Sequence, residues 1–213
     1  MAMPIHDWTR APVGVFHNFH LAWPVDLQRC LNQRILPQTH YAMIEFADPE
    51  KAPRVWEQAT EWQALSCLRR HLAIRRTSSD HTTASIELVS PAPFDAATST
   101  RFAKKLLTEL ERCRSLLVVD LFPAPAAGID FLSLLNGLLD GSNAARVPQT
   151  AGVASYAAYP EMHEIVQNVA VGSDIAPMPL FLERDLSVET PLQGTYASAY
   201  AGMPERWRRV IEQ

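Results

Sequence analysis

The feature of this sequence that most limits its fold is the unbroken apolar run SLLVVDLF, residues 115–122. It follows a segment, 98–113, whose apolar residues recur at spacings of three and four, and that segment comes after the alternating stretch SIELV at 85–89. A continuous apolar run of strand length is typical of a strand buried on both faces, and parallel strands need a helical crossover. We therefore predict a βαβ unit of strand 85–89, helix 98–113 and strand 115–122.

Signals on either side extend this unit into a larger α/β fold. The turn segment SSDHTT separates HLAIRR from SIELV and predicts a β-hairpin, and YAMIEF at 41–46 is typical of a further short strand. Apolar spacing over 15–35 predicts an amphipathic helix, in which Pro24 either makes a kink or begins a second helix. A helix at 129–139 and short strands over 154–192, broken by prolines, complete the prediction.

The length and composition support one sizeable hydrophobic core. The chain has 213 residues, of which 47% are hydrophobic and 20% charged, which is typical of a globular domain. We expect a single domain with a helical amino-terminal arm over 1–40, an α/β core over 41–122, and loops, short strands and a terminal helix over 123–213.

Cysteine usage and hydropathy indicate the compartment. The three cysteines stand far apart without a CxxC pair, so we expect neither a disulfide framework nor a zinc ribbon; they are Cys30, Cys67 and Cys113. No apolar run approaches the ~18 residues that a membrane helix needs, and no basic segment followed by an apolar one opens the sequence. We expect a cytoplasmic protein with no membrane span.

The net charge of −4 gives no overall field that would attract nucleic acid. A nucleic-acid partner would have to bind a local basic patch. One candidate patch consists of the four arginines of CLRRHLAIRR, although arginines at these positions are also typical of a solvated sheet edge. A second candidate patch lies on the predicted helix 98–113. The two sets are Arg69, Arg70, Arg75 and Arg76, and Arg101, Lys104 and Lys105.

Histidines are concentrated in HDWTRAPVGVFHNFH near the amino terminus. His17 and His20 have the i, i+3 spacing that brings two rings together on a helix, and His6 could approach from the preceding loop, so three nitrogens could hold a metal. No second close-spaced ligand pair accompanies them, and His20 shares its helix face with large apolar side chains. We therefore interpret His6, Asp7, His17 and His20 as a hydrogen-bonded network that fixes the amino-terminal arm.

Two carboxylates interrupt apolar strands. Glu87 stands in SIELV, where it either faces the interior and needs a partner or a metal, or points to water at a strand edge. Asp120 stands at the carboxyl end of SLLVVDLF, where open α/β sheets place ligand sites; the alternative is a cap for the following loop. The sequence contains no serine nucleophile elbow, dinucleotide fingerprint or glycine-rich phosphate loop.

Ordered motifs along the chain suggest a family. MPIHDWTR, FHNFHLAW, LNQRILPQTHYAMIE, IELVSP, LLVVDLFP, VAVG, MPLFL and TYASAY together resemble the bacterial domain-of-unknown-function 4058 family. That family is similar in turn to the Uma-type proteins of the restriction-endonuclease-like PD-(D/E)XK superfamily. The resemblance implies a mixed sheet flanked by helices, in which an Asp and a Glu on adjacent strands hold Mg²⁺ or Mn²⁺ and a Lys positions the attacking water.

The residues of such a site carry over only in part. The resemblance assigns Glu87 and the early Glu45 as metal ligands and catalytic residues, and Lys105 as the water-positioning group. Arg54 in APRV stands where the metal-binding aspartate belongs, and it could pair with Glu87 and block the metal's position. Asp48 or Asp80 could supply the missing ligand instead. SPAPF also departs from the family's Ser-Pro-x-Asn-Lys, with Pro93 and Phe94 at the Asn and Lys places.

Three function classes follow from these residues. The charge reversal at Arg54 favours a nuclease-like fold with a degenerate metal site that acts by binding. The first alternative is an active metal-dependent nuclease that hydrolyses phosphodiester bonds. The second is a structural module that forms a homo-oligomer through the segment MPLFLERDLSVETPL.

Overall fold

The structure is a computed structural model that describes residues 4–46, 70–89, 96–121, 131–141, 151–159 and 161–212. The first elements are a 3₁₀ turn Trp8–Arg10, helix α1 Val13–Cys30, a π turn Leu31–Ile35, and strands β1 His40–Phe46, β2 Arg70–Arg76 and β3 Thr82–Leu88. Next come α2 Ala96–Cys113, β4 Ser115–Asp120, α3 Phe131–Leu139, β5 Gly152–Tyr159 and β6 Glu161–Asn168. The last are β7 Met178–Glu183, β8 Leu186–Thr190, α4 Leu192–Ala201 and α5 Glu205–Ile211.

Strands β1 to β6 form one mixed sheet in sequence order, and β7 and β8 form a separate hairpin. Neighbouring strands are antiparallel except for β3 and β4, which pair in parallel with Ser85 beside Leu116. Helix α2 makes the crossover between them, so β3, α2 and β4 form a βαβ unit at nearly the predicted bounds. The predicted α/β class, with a mixed sheet flanked by helices, is confirmed.

The sheet separates two hydrophobic cores because strand side chains alternate between its faces. One face packs against α1, α4 and the β7–β8 hairpin, and it contributes Leu72, Ile74, Ile86, Leu117 and Val119. The other face packs against α2 and α3, and it contributes Leu116, Val118, Ala154 and Tyr156. Each fully buried Leu or Val stabilises the fold by about 1.5 to 3 kcal/mol.

Helix α1 runs without interruption through Pro24, so the alternative in which Pro24 begins a second helix is wrong. The helix survives the missing proline N–H because its apolar face is buried, with Phe19 and Leu27 fully inaccessible to solvent. The indole of Trp23 on the same face donates a 3.0 Å hydrogen bond to Thr195 Oγ1 of α4. Within the described residues, no helix combines the length and apolar character that a bilayer span needs.

The segment expected to form an oligomer interface, residues 178–192, comprises the β7–β8 hairpin and the first residue of α4. Its residues Met178, Leu180 and Leu182 are buried in the core shared with the sheet and α1. The apolar side of this hairpin is therefore used within the molecule.

Candidate functional site

Three polar side chains form a line across the central strands. Glu45 of β1 lies opposite His71 of β2, and His71 lies opposite Glu87 of β3. Directly opposed residues share a sheet face with their Cβ atoms about 4.5 to 5.5 Å apart. Val118 of β4 lies beside Glu87 and packs in the core beneath α2. These three residues, called the polar row below, therefore occupy the α2 face of the sheet.

Glu87 is 5% exposed in a strand whose residues are all buried. The alternative in which Glu87 points to water at a strand edge is therefore wrong. It is wrong because β3 lies inside the sheet, between β2 and β4. Burying a carboxylate lowers the stability of the fold by several kcal/mol unless other groups stabilise the charge. Glu87 is therefore a strong candidate for a residue that binds a ligand or forms a specific internal contact.

Glu45 is paired with an arginine. Its Oε1 lies 2.5 Å from Arg75 Nη2, and both side chains are about three-quarters buried. Its Oε2 lies 3.9 Å from His71 Nε2. The Arg75 contact is an ion pair by distance, although it lacks the angle of a hydrogen bond. The guanidinium neutralises Glu45 on the face that also carries Glu87.

Helix α2 places charged groups beside His71. Burial lowers the pKa of His71, the carboxylates of Glu109 and Glu45 oppose that shift, and the cations Lys105 and Arg112 add to it. His71 is therefore a neutral imidazole at neutral pH. Lys105 belongs to α2, the helix that follows Glu87 along the chain and packs on this face of the sheet.

One nitrogen of the polar row and one of the neighbouring Arg75 are buried without partners among the described residues. His71 Nε2 and Arg75 Nε are shielded from solvent and have no hydrogen-bond partner in the part of the chain that the structure describes. An unsatisfied buried polar group costs about 1 to 3 kcal/mol. Arginine Nε can only donate, whereas the imidazole nitrogen donates or accepts according to its tautomer. A bound oxygen acceptor would satisfy these groups.

The metal ligands implied by the resemblance fit poorly here. Among the described residues, no three His, Cys, Asp or Glu side chains are grouped closely enough to hold a metal ion. Glu45 and Glu87 are two strands apart, with backbones about 9.5 Å apart at ~4.8 Å per strand spacing, whereas Mg²⁺ needs oxygens at about 2.1 Å. The residues that would complete or block the site, Asp48 and Arg54, lie outside the described residues, as do Pro93 and Phe94.

Asp80 cannot supply the missing ligand. It lies in the turn between β2 and β3, whereas Glu87 lies near the other end of β3. The length of extended strand between the two residues is about 20 Å. Its Oδ1 accepts a 2.5 Å hydrogen bond from Tyr41 Oη. The expectation that Asp80 replaces the aspartate is wrong because hairpin pairing holds these two carboxylates apart.

Asp120 is the last residue of β4 and is partly buried. Alternation places it on the same face as Val118, and therefore on the face that carries Glu87. The structure thus brings Glu45, Glu87, Lys105 and Asp120 to one side of the sheet.

The amino-terminal polar residues contact several parts of the fold. His6 Nδ1 lies 2.9 Å from Tyr196 Oη, and its ring stacks on Tyr200 with 3.8 Å between centroids. Asp7 accepts from the Thr9 backbone N–H at 3.1 Å and pairs with Arg10 at 3.2 Å.

The two histidines of α1 lie away from the polar row's face. His20 Nε2 donates to the Leu88 carbonyl at 2.8 Å and is 8% exposed, while His17 is partly buried. The arm is therefore held to α4 through His6 and to the end of β3 through His20. Asp7 closes the local 3₁₀ turn.

Neither His71 nor Glu109 is among the residues that the sequence pattern predicts for a site, and Arg75 enters only as a member of a basic patch. A usable signal existed for His71 and Arg75, because alternation in RHLAIRR puts them on one face. If RHLAIRR and SIELV form a hairpin around the SSDHTT turn, His71 lies near Glu87 on the neighbouring strand. Glu109 could be placed only once the packing of α2 was known.

Comparison of the chain with family models, curated proteins and solved structures gives no match.

Proposed function

We propose that this chain has a restriction-endonuclease-like core with a degenerate metal site, and that it binds nucleic acid without cleaving it. The observation that supports this proposal is the Glu45–Arg75 ion pair. In a nuclease-like site the Glu45 carboxylate would bind the metal ion, whereas here it is paired with the Arg75 guanidinium. The mixed sheet flanked by helices supports the fold assignment, as does the position of Glu87 on the strand before the helix with Lys105.

Helix α2 supplies the surface for the nucleic acid. Arg101, Lys104 and Lys105 recur at three and four along it, so they share one helix face, and all three residues are exposed. Lys105 also acts on His71, which joins this basic face to the polar row.

The other basic patch is less suited to phosphate. Arg75 is paired with Glu45, and Arg76 is paired with Glu183 of β7. Arg69 lies outside the described residues. Because carboxylates already compensate Arg75 and Arg76, we assign the phosphate contacts to the exposed Arg101 and Lys104 of α2.

The test is fluorescence anisotropy of labelled single- and double-stranded DNA and RNA, titrated with protein over a series of salt concentrations. We expect binding that weakens with salt, and the double variant Arg101→Ala/Lys104→Ala should reduce the salt slope by about one to two. Arg184→Ala/Arg206→Ala removes the same charge from exposed positions elsewhere and is the control.

The same samples are incubated with Mg²⁺ or Mn²⁺ to test for cleavage. Intact nucleic acid is the expected result. Cleavage that Glu87→Ala abolishes would instead establish the active nuclease. Absence of binding to all four probes would reject the nucleic-acid partner.

A further inference from the structure

Strand β6 is an edge of the sheet that the described residues form. It pairs with β5 along its whole length, from Glu161 beside Tyr159 to Asn168 beside Gly152, without a register shift. No other strand of the described part lies on its outer side. Edge strands are usually protected by charged side chains, especially Lys, by Pro or by a bulge. The sequence EMHEIVQN contains two glutamates but neither Lys nor Pro, and its pairing shows no bulge.

This edge is also exposed and apolar. Seven of the eight residues of β6 are exposed. Met162, Ile165 and Val166 keep 49%, 42% and 44% of their surfaces accessible, although nearly all other large apolar side chains of the described sheet are buried. An edge with open backbone groups and apolar side chains on both faces is suited to pairing with another strand.

We propose that β6 pairs antiparallel with β6 of a second copy of this chain, which joins the two sheets edge to edge about a two-fold axis. The two-fold axis that relates two antiparallel strands of one continuous sheet is perpendicular to the sheet. A residue and its equivalent in the second copy therefore lie on the same face of that sheet. The pairing therefore centres on one residue that faces itself, and positions equally far on either side of that centre become partners.

The length and charge of β6 select a single centre. A centre at His163 or Val166 pairs only 161–165 or 164–168, whereas a centre at Glu164 or Ile165 pairs nearly the whole strand. The Glu164 centre places two carboxylates directly opposite each other, which is destabilising. The Ile165 centre places two isoleucines opposite each other and Glu164 against Val166 of the second copy.

The β6 sequence is thus complementary to itself in one register, and this favours a second copy over an unrelated strand. In that register His163 faces Gln167 of the second copy, and Met162 faces Asn168. No like charges are directly opposed. This pairing is independent of the polar row, which lies on β1 to β3.

Light scattering during size-exclusion chromatography tests the oligomeric state. We expect a mass of twice the 23.8 kDa chain for the parent protein. Ile165→Arg should give the single-chain mass because it places two cations opposite each other, with an unchanged far-ultraviolet circular dichroism spectrum. Val25→Arg, at an equally exposed apolar residue of α1, should keep the double mass. A parent protein that is monomeric throughout, or a dimer that Ile165→Arg leaves intact, would overturn the proposal.

Engineered cysteines test the register. Ile165→Cys places two thiols on directly opposed Cα atoms about 4.5 to 5.5 Å apart, within the range that a disulfide bridges. Val166→Cys leaves its two thiols on diagonal positions about 7 to 8 Å apart, beyond that range. Under mild oxidation we expect a covalent dimer from Ile165→Cys, with the bridge assigned by peptide mapping, and none from Val166→Cys. The reverse result would contradict this register.

Discussion

The carboxylate of Glu45 lies 2.5 Å from the guanidinium of Arg75, on the sheet face that also carries Glu87. Arg75 stands on the same strand as His71 and reaches back along it to the carboxylate opposite His71. The pair removes the negative charge of one of the two carboxylates that the resemblance assigns to a metal. Its strength therefore bears directly on whether the site is degenerate.

A double-mutant cycle with Glu45→Gln and Arg75→Ala measures that strength. We expect a coupling free energy of about 1 kcal/mol, because the pair is only about one-quarter exposed and screening by water is reduced. The Glu205–Arg209 pair of α5 is far more exposed and serves as the control, with an expected coupling of about 0.3 to 0.5 kcal/mol. Equal coupling in both pairs, measured by urea unfolding, would show that burial adds nothing at Glu45.

Calorimetric titration of Mn²⁺ into metal-free protein tests the donor set. We expect no saturable heat, because Glu45 is paired with Arg75 and no three ligands among the described residues converge. Glu87→Ala should then give the same trace as the parent. Saturable binding that disappears in Glu87→Ala would contradict the degenerate site, and it would indicate ligands from outside the described residues.

The stability of the protein should fall as the pH falls below about 6.5. Burial lowers the pKa of His71, His40 and His6 in the folded state, so the unfolded chain takes up protons first. The stabilising effect is fully present above the unfolded value of 6.5 and is lost as the pH falls towards the lowered folded values. Each histidine contributes a slope of at most about 1.4 kcal/mol per pH unit.

The measurement is the urea unfolding free energy between pH ~7.5 and ~5.5, a window in which histidine is the main titrating side chain. His71→Gln should flatten the dependence relative to the parent. His81→Gln, at an exposed turn residue, is the control. A slope that His71→Gln leaves unchanged would contradict the burial of a neutral imidazole at this position.

Replacing His20 with Ala should lower the unfolding free energy by about 1 to 3 kcal/mol, because the Leu88 carbonyl loses the Nε2 donor and a buried ring is removed. Asn18→Ala, at an exposed position of α1, should have little effect. Elemental analysis should show the same metal content in both variants and the parent. Loss of a stoichiometric metal in His20→Ala would establish a histidine metal site.

Local patterns were sufficient to predict much of the sheet. The βαβ unit and the β2–β3 hairpin follow from residue spacing within short segments, because side-chain alternation and turn chemistry act locally. Residue spacing alone does not decide the burial of Glu87, because that burial depends on strand order, which puts β4 beside β3. Spacing does not show the whole polar row either, since its members come from three strands and become neighbours only through register.

The exposed edge at β6 could not be predicted from spacing either. EMHEIVQN lacks the strict alternation of a half-buried strand, and its exposure on both faces follows from its place at the end of the sheet. Pro24 is a case in which a local signal predicts a helix break that does not occur. The helix continues through it because the apolar face of α1 is buried. In both cases the deciding contacts are made between distant parts of the chain.

A polar network beneath β6 allows a ranking of two substitutions. Asn136 of α3 accepts a 2.5 Å hydrogen bond from Tyr156 Oη through Oδ1, and its Nδ2 donates to Glu164 of β6. Tyr156→Phe removes one donor to an amide that keeps its Glu164 bond, and it should cost about 1 kcal/mol. Asn136→Ala leaves both the buried hydroxyl and Glu164 without this partner and should cost about 2 to 3 kcal/mol.

Urea unfolding of both variants measures the two costs, with Ser133→Ala on the partly buried side of α3 as the comparison. We expect Asn136→Ala to be more destabilising than Tyr156→Phe. The m-values of the two variants should be equal, since neither substitution changes the surface exposed on unfolding by much. If Tyr156→Phe were the more destabilising variant, the hydroxyl would have a stabilising role beyond its bond to Asn136. The amide would then not be the group that joins α3 to β5 and β6.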